Sequence, residues 1–190
     1  PLEPESGDAF VWGELDLREA IGSKPKPLNW LAKGLCARGE AVVLTATTGL
    51  GKTYVTMQLA LDLAVGRKAL GQYDCPRPMK VLWIDEEMGI EMLGDRLTRQ
   101  TAGAGFGPSE MNLLYSNFNV RYQQGLALGD EDQFAVYDKT LRDGQYDLVV
   151  MDSMVALYTG QENDATETRA FYARRIAPNK GAIGAAFWIL

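Results

Sequence analysis

The run "TATTGLGKTY", residues 45–54, sets a lysine and a threonine directly behind two glycines. Such a run can cradle phosphate. Gly49 and Gly51 let the backbone N–H groups close on an anion without a Cβ in the way, and a following helix adds the positive end of its dipole. Thr48, Gly49, Leu50, Gly51, Lys52, Thr53 and Tyr54 would then surround the phosphates of ATP. Lys52 would reach the β- and γ-phosphates, and the Thr53 hydroxyl would ligate Mg²⁺. The phosphate-loop pattern G-x-x-x-x-G-K-[ST] asks for glycine at its first position, where this chain has Ala46. A methyl group is tolerated at that loop entrance if the backbone there has negative φ.

Two other stretches end in carboxylates. "DLVVMD" brings Asp152 to the end of an apolar run, where a carboxylate can hold the metal shell. A buried strand finishing in a capping aspartate reads the same way. "VLWIDEEMG" ends in Asp85, Glu86 and Glu87. A glutamate one step beyond a strand end can orient a water and take its proton during attack on a γ-phosphate. The alternative is a solvated acidic turn.

These groups need a scaffold that delivers them to one place. "AVVLT", "VLWID", "NLLYS", "YDLVVMDS" and "AAFWIL" read as short buried strands. "TYVTMQLALDLAVG", "GIEMLGDRLTRQ", "DEDQFAVYDKTLRD" and "DATETRAFYARRIA" read as helices between them, with a short helix over "LDLREAI". "LNWLAKGLCARGE" reads as a short amphipathic piece that turns at Gly39, and "FNVRYQQG" as a connector with Arg121 solvated. Strands alternating with helices imply parallel pairing, so the expected fold is α/β, a mostly parallel central sheet flanked by helices. Residues 1–27 read as an arm or linker and residues 28–190 as one domain.

The formal net charge of −6 argues against a surface that coats nucleic acid by bulk charge, though it leaves room for a local basic loop. Cys36 and Cys75 make no disulfide framework and read as reduced thiols. No apolar run approaches the roughly 18 residues of a spanning helix, so the expectation is a soluble cytoplasmic protein.

From about Pro27 to Arg175, "GEAVVLTATTGLGKTYVTMQLALDLAVG", "VLWIDEEM" and "DLVVMDSMVAL" with "ENDATETRAF" resemble the RecA-like ATPases. Within them the chain is similar to the RepA-type hexameric replicative helicases and their AAA-type phage and plasmid relatives. The resemblance implies a RecA-like P-loop core and Mg²⁺-dependent ATP hydrolysis that drives movement on single-stranded DNA. It implies a homo-oligomer, a hexamer, in which a neighbouring subunit completes each site, with Arg174 and Arg175 as default candidates for the arginine supplied in trans. It points to Glu87, followed by Met88, as the catalytic base in preference to Glu86, acting with Lys52. It also places Arg96 over the adenine, as a guanidinium plane suits a base. A RecA- or KaiC-like recombination or regulatory ATPase is the alternative, and a nucleotide-binding assembly protein with negligible turnover is a third class that Glu87 disfavours.

One part of the family pattern is out of place. A core strand ending in a His or Gln sensor, followed by a loop facing DNA, is expected after the "ENDATETRAFYARRIA" helix. The chain has no histidine, and Pro178 to Gly181 leave no room for that strand. "GAIGAAFWIL" resembles the stretch that follows the DNA-facing loop in relatives. The expectation is therefore that an apolar strand, a sensor and a basic loop belong between Ile176 and Gly181, and that the domain's C-terminal part is incomplete.

Overall fold

The computed structural model describes residues 13–24, 27–47, 49–158, 169, 171–177 and 182–190. In chain order the elements are α1 (Leu17–Gly22), β1 (Trp30–Ala32), β2 (Cys36–Ala37), β3 (Ala41–Val43), α2 (Lys52–Val65) and β4 (Val81–Asp85). There follow α3 (Ile90–Ala104), α4 (Pro108–Asn117), β5 (Phe118–Tyr122), α5 (Glu131–Gly144), β6 (Leu148–Asp152), α6 (Met154–Leu157), a π-helical turn at Tyr172–Ile176, and β7 (Ala186–Ile189).

Five strands form one sheet in the order β3-β7-β6-β4-β5, and every neighbouring pair is parallel. The fold is α/β with helices on the sheet's two faces, as the alternation of elements implies. Strands β4 and β6 are buried at every position, because parallel strands under helices have no solvent face. Side chains alternate between two cores. Val81, Trp83, Leu148, Val150 and Trp188 meet α2 on one side. Leu82, Ile84, Val149, Met151 and Phe187 meet Tyr137 and Leu141 of α5 on the other. Helix α2 is buried nearly all round from Met57 to Val65, so it is a core helix whose N-terminus alone reaches the surface.

Three expectations are corrected. "NLLYS" is not a strand but the end of α4, and the strand is the following Phe118–Tyr122, read from sequence as a connector. Pro108 opens α4 at a position that needs no N–H, and the Glu110 carboxylate accepts from the Gly107 N–H at 2.8 Å. Arg67 braces the junction by donating to the Ala104 and Gly105 carbonyls at the end of α3 and pairing with Glu110. The piece "LNWLAKGLCARGE" is a two-stranded antiparallel ribbon, β1 with β2, whose Leu31, Ala32 and Cys36 enter the core. Burial raises the Cys36 thiol to about 12, which leaves it a packing group.

The third correction concerns the expected additional strand. The central position beside the phosphate-loop strand β3 is taken by β7, which pairs with β3 on one side and β6 on the other. "AFWI" therefore fills the place for which a segment between Ile176 and Gly181 was expected, and the sheet is continuous without one. Pro178 to Gly181, and most of "ENDATETRAF", lie outside the described residues.

Candidate functional site

Because all five strands run the same way, their carboxyl ends share one edge, and the loops leaving β3, β4 and β6 converge there. The cavity at that edge has a volume of about 620 Å³ and is lined by Ala46, Gly49, Gly51, Lys52, Thr53, Tyr54, Glu87, Arg96, Asp152 and Ser153, closed by Leu44, Thr45 and Leu190. Nearly every residue selected from the sequence thus reaches one space. Leu50 sits at the exposed tip of the loop rather than in the lining, and Thr48 lies outside the described residues.

The loop takes its shape from its glycines. Gly49 and Gly51 have φ of 85° and 82°, a region that other residues enter only under strain, and Gly51 is the N-cap of α2. No side chain caps that helix start, so its first N–H groups point at the cavity unpaired by a capping group. The Lys52 ammonium donates to the Ala46 carbonyl at 2.9 Å, which folds the side chain back across its own loop.

The Thr53 hydroxyl and the Asp152 carboxylate line the same cavity, one from α2 and the other from the end of β6. Burial pushes Asp152 up to about 6; the nearby Thr53 hydroxyl opposes this, Asp85 and Glu87 add to it by charge repulsion, and Arg96 opposes it. The Asp152–Ser153 peptide is cis. The carboxylate is thus held where a cation would relieve its repulsion.

The acidic triplet divides its labour. Asp85 is fully buried and accepts from Trp83 Nε1 at 3.2 Å, the Glu87 N–H at 3.1 Å and the Met88 N–H at 2.7 Å, so it shapes the turn after β4. Glu86 turns the other way, accepting from the Gln124 and Gly125 N–H groups at 3.2 and 3.0 Å. Only Glu87 of the three lines the cavity. The sequence distinguished Glu87 from Glu86 through family resemblance; the geometry separates them by what each carboxylate touches.

Arg96 on α3 lies with its guanidinium carbon 4.3 Å from the centre of the Tyr54 ring. Among the described residues the buried Arg96 Nε and Ser153 hydroxyl find no hydrogen-bond partner, and both residues line the cavity. Buried polar groups rarely stay unpaired, so a ligand rich in acceptor oxygens suits this wall. Ser153 was not singled out from the sequence, and Asp85 was grouped with its neighbours; the signal for Ser153 is its place one residue beyond the strand-end aspartate. No group of three or more His, Cys, Asp or Glu side chains able to hold a metal occurs among the described residues. Thr53 and Asp152 offer one hydroxyl and one carboxylate, which fits Mg²⁺, an ion that keeps waters and phosphate oxygens in its shell.

The default candidates for an arginine acting in trans separate. Arg175 pairs with Glu131 and lies 4.4 Å from the Phe134 ring centre, so it is engaged within its own chain, whereas Arg174 is exposed. Arg121 is exposed, as expected, but stands on strand β5. No described helix is long and apolar enough to cross a membrane.

A family model described as an AAA domain matches residues 13–188. A search of curated proteins finds no match.

Proposed function

The chain belongs to the AAA domain family, and we propose that it is a Mg²⁺-dependent ATPase whose turnover drives translocation on single-stranded DNA, as a helicase motor of the RepA or DnaB kind working as a homo-hexamer. The observation that carries the ATPase reading is the convergence of Lys52, Thr53, Glu87 and Asp152 on one cavity at the carboxyl edge of a parallel sheet.

The roles follow from position. The loop N–H groups and the start of α2 receive the phosphates, and Lys52 exchanges the Ala46 carbonyl for phosphate oxygen. Thr53 and Asp152 would hold Mg²⁺, which when bound offsets the charge that builds on the transferred phosphoryl group. Glu87, aimed by the Asp85 turn, orients the attacking water and accepts its proton. Arg96 offers a flat cation to the base.

Resemblance to the replicative helicases supports the DNA-driven reading. The net charge of −6 favours a second one, in which the same ATPase serves recombination or regulation without unwinding DNA. Measuring ATP hydrolysis with and without single-stranded DNA tests both. Stimulation by DNA supports the motor, DNA-independent turnover supports the second reading, and no Mg²⁺-dependent turnover in either condition rejects the ATPase.

A further inference from the structure

The opposite edge of the sheet carries a second cavity, of about 700 Å³, lined by Arg38, Arg77, Lys80, Arg142, Tyr146 and Asp147 among others. Arg38 precedes β3, Lys80 precedes β4 and Asp147 precedes β6, so the cavity lies at the amino ends of parallel strands. It is separated from the nucleotide cavity by the length of β6, roughly 16 Å from Asp147 to Asp152.

Four cations surround one carboxylate, and that carboxylate is already satisfied. Asp147 accepts from Arg77 twice, at 3.0 and 2.8 Å, and from the Lys80 N–H at 2.8 Å, and it pairs with Arg38. Arg142 is matched by Asp138 on the same helix. The Lys80 ammonium forms no ion pair among the described residues and lies 5.4 Å from the Tyr146 ring centre. Arg38, Arg77 and Lys80 against Asp147 therefore leave a surplus of two positive charges in a chain whose net charge is −6. Burial, and then the facing Arg77, lower the Arg38 guanidinium from its ordinary value, a sign of cations crowded without enough anion. Holding Asp147 in place needs neither the Lys80 ammonium nor Arg142.

We infer that this cavity is a binding site for phosphate oxyanions, filled either by the backbone of a nucleic acid or by a free phosphate compound. Guanidinium forks and an ammonium suit phosphate oxygens, and the cavity's openness to solvent beside exposed Arg77 and Arg142 gives a chain of phosphates access. The bulk acidity of the protein confines such binding to this local surplus. The site is independent of the proposed ATPase activity.

The test uses the full chain carrying Lys52→Ala, so that phosphate binding at the nucleotide loop is suppressed. Binding of a fluorescein-labelled oligothymidylate and of inorganic pyrophosphate is measured over a range of salt concentrations. At least one probe is expected to bind, and Lys80→Gln should weaken it roughly tenfold and, for the oligonucleotide, reduce the salt slope by about one. Lys80→Arg, which keeps the charge, should restore binding and guards against a folding defect. Oligothymidylate held against excess pyrophosphate assigns the site to nucleic-acid backbone, whereas displacement by pyrophosphate, or binding of pyrophosphate alone, assigns it to a free phosphate compound. If neither probe binds, or if Lys80→Gln and Arg142→Gln each leave affinity unchanged, the inference is wrong.

Discussion

The hydroxyl of Thr53 and the carboxylate of Asp152 face one cavity, the first from the opening turn of α2 and the second from the carboxyl end of β6. The chain segments they belong to are about a hundred residues apart, yet one Mg²⁺ ion can be served by both.

That carboxylate makes stability depend on pH. Asp152 is raised from 3.8 to about 6 in the folded protein, so the native state binds an extra proton between those values. The stabilisation from this proton is fully present below pH 3.8 and is lost as pH rises through about 6. In Mg²⁺-free buffer Asp152→Asn should therefore be more stable than wild type at neutral pH, by about 1–3 kcal/mol. Denaturant unfolding at several pH values checks this, and an Asn variant less stable at neutral pH would contradict the electrostatics described.

Lys52→Ala should abolish ATP hydrolysis and weaken nucleotide binding while changing unfolding free energy by less than about 0.5 kcal/mol. Among the described residues the half-buried Lys52 side chain hydrogen-bonds a loop carbonyl alone, so little of the fold depends on it. Wild-type turnover in this variant would remove the phosphate-loop assignment.

Glu87→Gln should lower hydrolysis by roughly 10²-fold or more with ATP still bound. Glu86→Gln should leave chemistry nearly intact and cost about 1 kcal/mol of stability, because its carboxylate accepts two backbone N–H groups after β5. Single-turnover kinetics and thermal melts on both variants separate the two carboxylates, and exchanged phenotypes would reverse their roles.

Arg96→Ala should weaken ATP binding about tenfold and leave tripolyphosphate binding unchanged, if its guanidinium serves the base. Equal losses for both ligands, measured by calorimetry, would move Arg96 to the phosphates.

Gly144→Ala should destabilise the protein by about 1–3 kcal/mol, since a Cβ there would meet the Tyr146 ring at 2.0 Å. That ring is nearly buried between Gly144 and Lys80, so the variant should also weaken oligothymidylate or pyrophosphate binding at the amino edge of the sheet. Urea unfolding and the binding assay read the two effects.

The sequence revealed the elements whose burial is uniform. "VLWID" and the "LVVMD" within "YDLVVMDS" are strands buried on both faces, and an unbroken apolar run is what that environment selects. It hid β5, an edge strand whose Asn119 and Arg121 give it the composition of a loop. "NLLYS" misled because its apolar run mimics a strand, while the start signal for its helix, Gly107-Pro108 with Glu110, lay upstream. The cavity's lining was legible where a motif ties residue type to position, as at Lys52, Thr53 and Asp152. It was less so where a role depends on the direction a side chain takes, as with Glu86 and Glu87, or where a neighbour was missed, as with Ser153. The amino-edge cations were invisible because Arg38, Arg77, Lys80 and Arg142 are scattered along the chain and gathered only by the sheet.

Strand β7 has a temporal consequence during synthesis. Among the described strands β3 pairs only with β7, whose residues leave the ribosome some 140 residues after those of β3. Until then the strand that carries the phosphate loop is a loose thread, and the β4, β5 and β6 ladders can form without it. A nascent chain in this state leaves the β7-facing side of β6 open and β3 without a partner strand, both exposed to any neighbouring polypeptide. Maturation of the nucleotide cavity is thus a late event of folding, set by the arrival of Ala186 to Ile189 between β6 and β3.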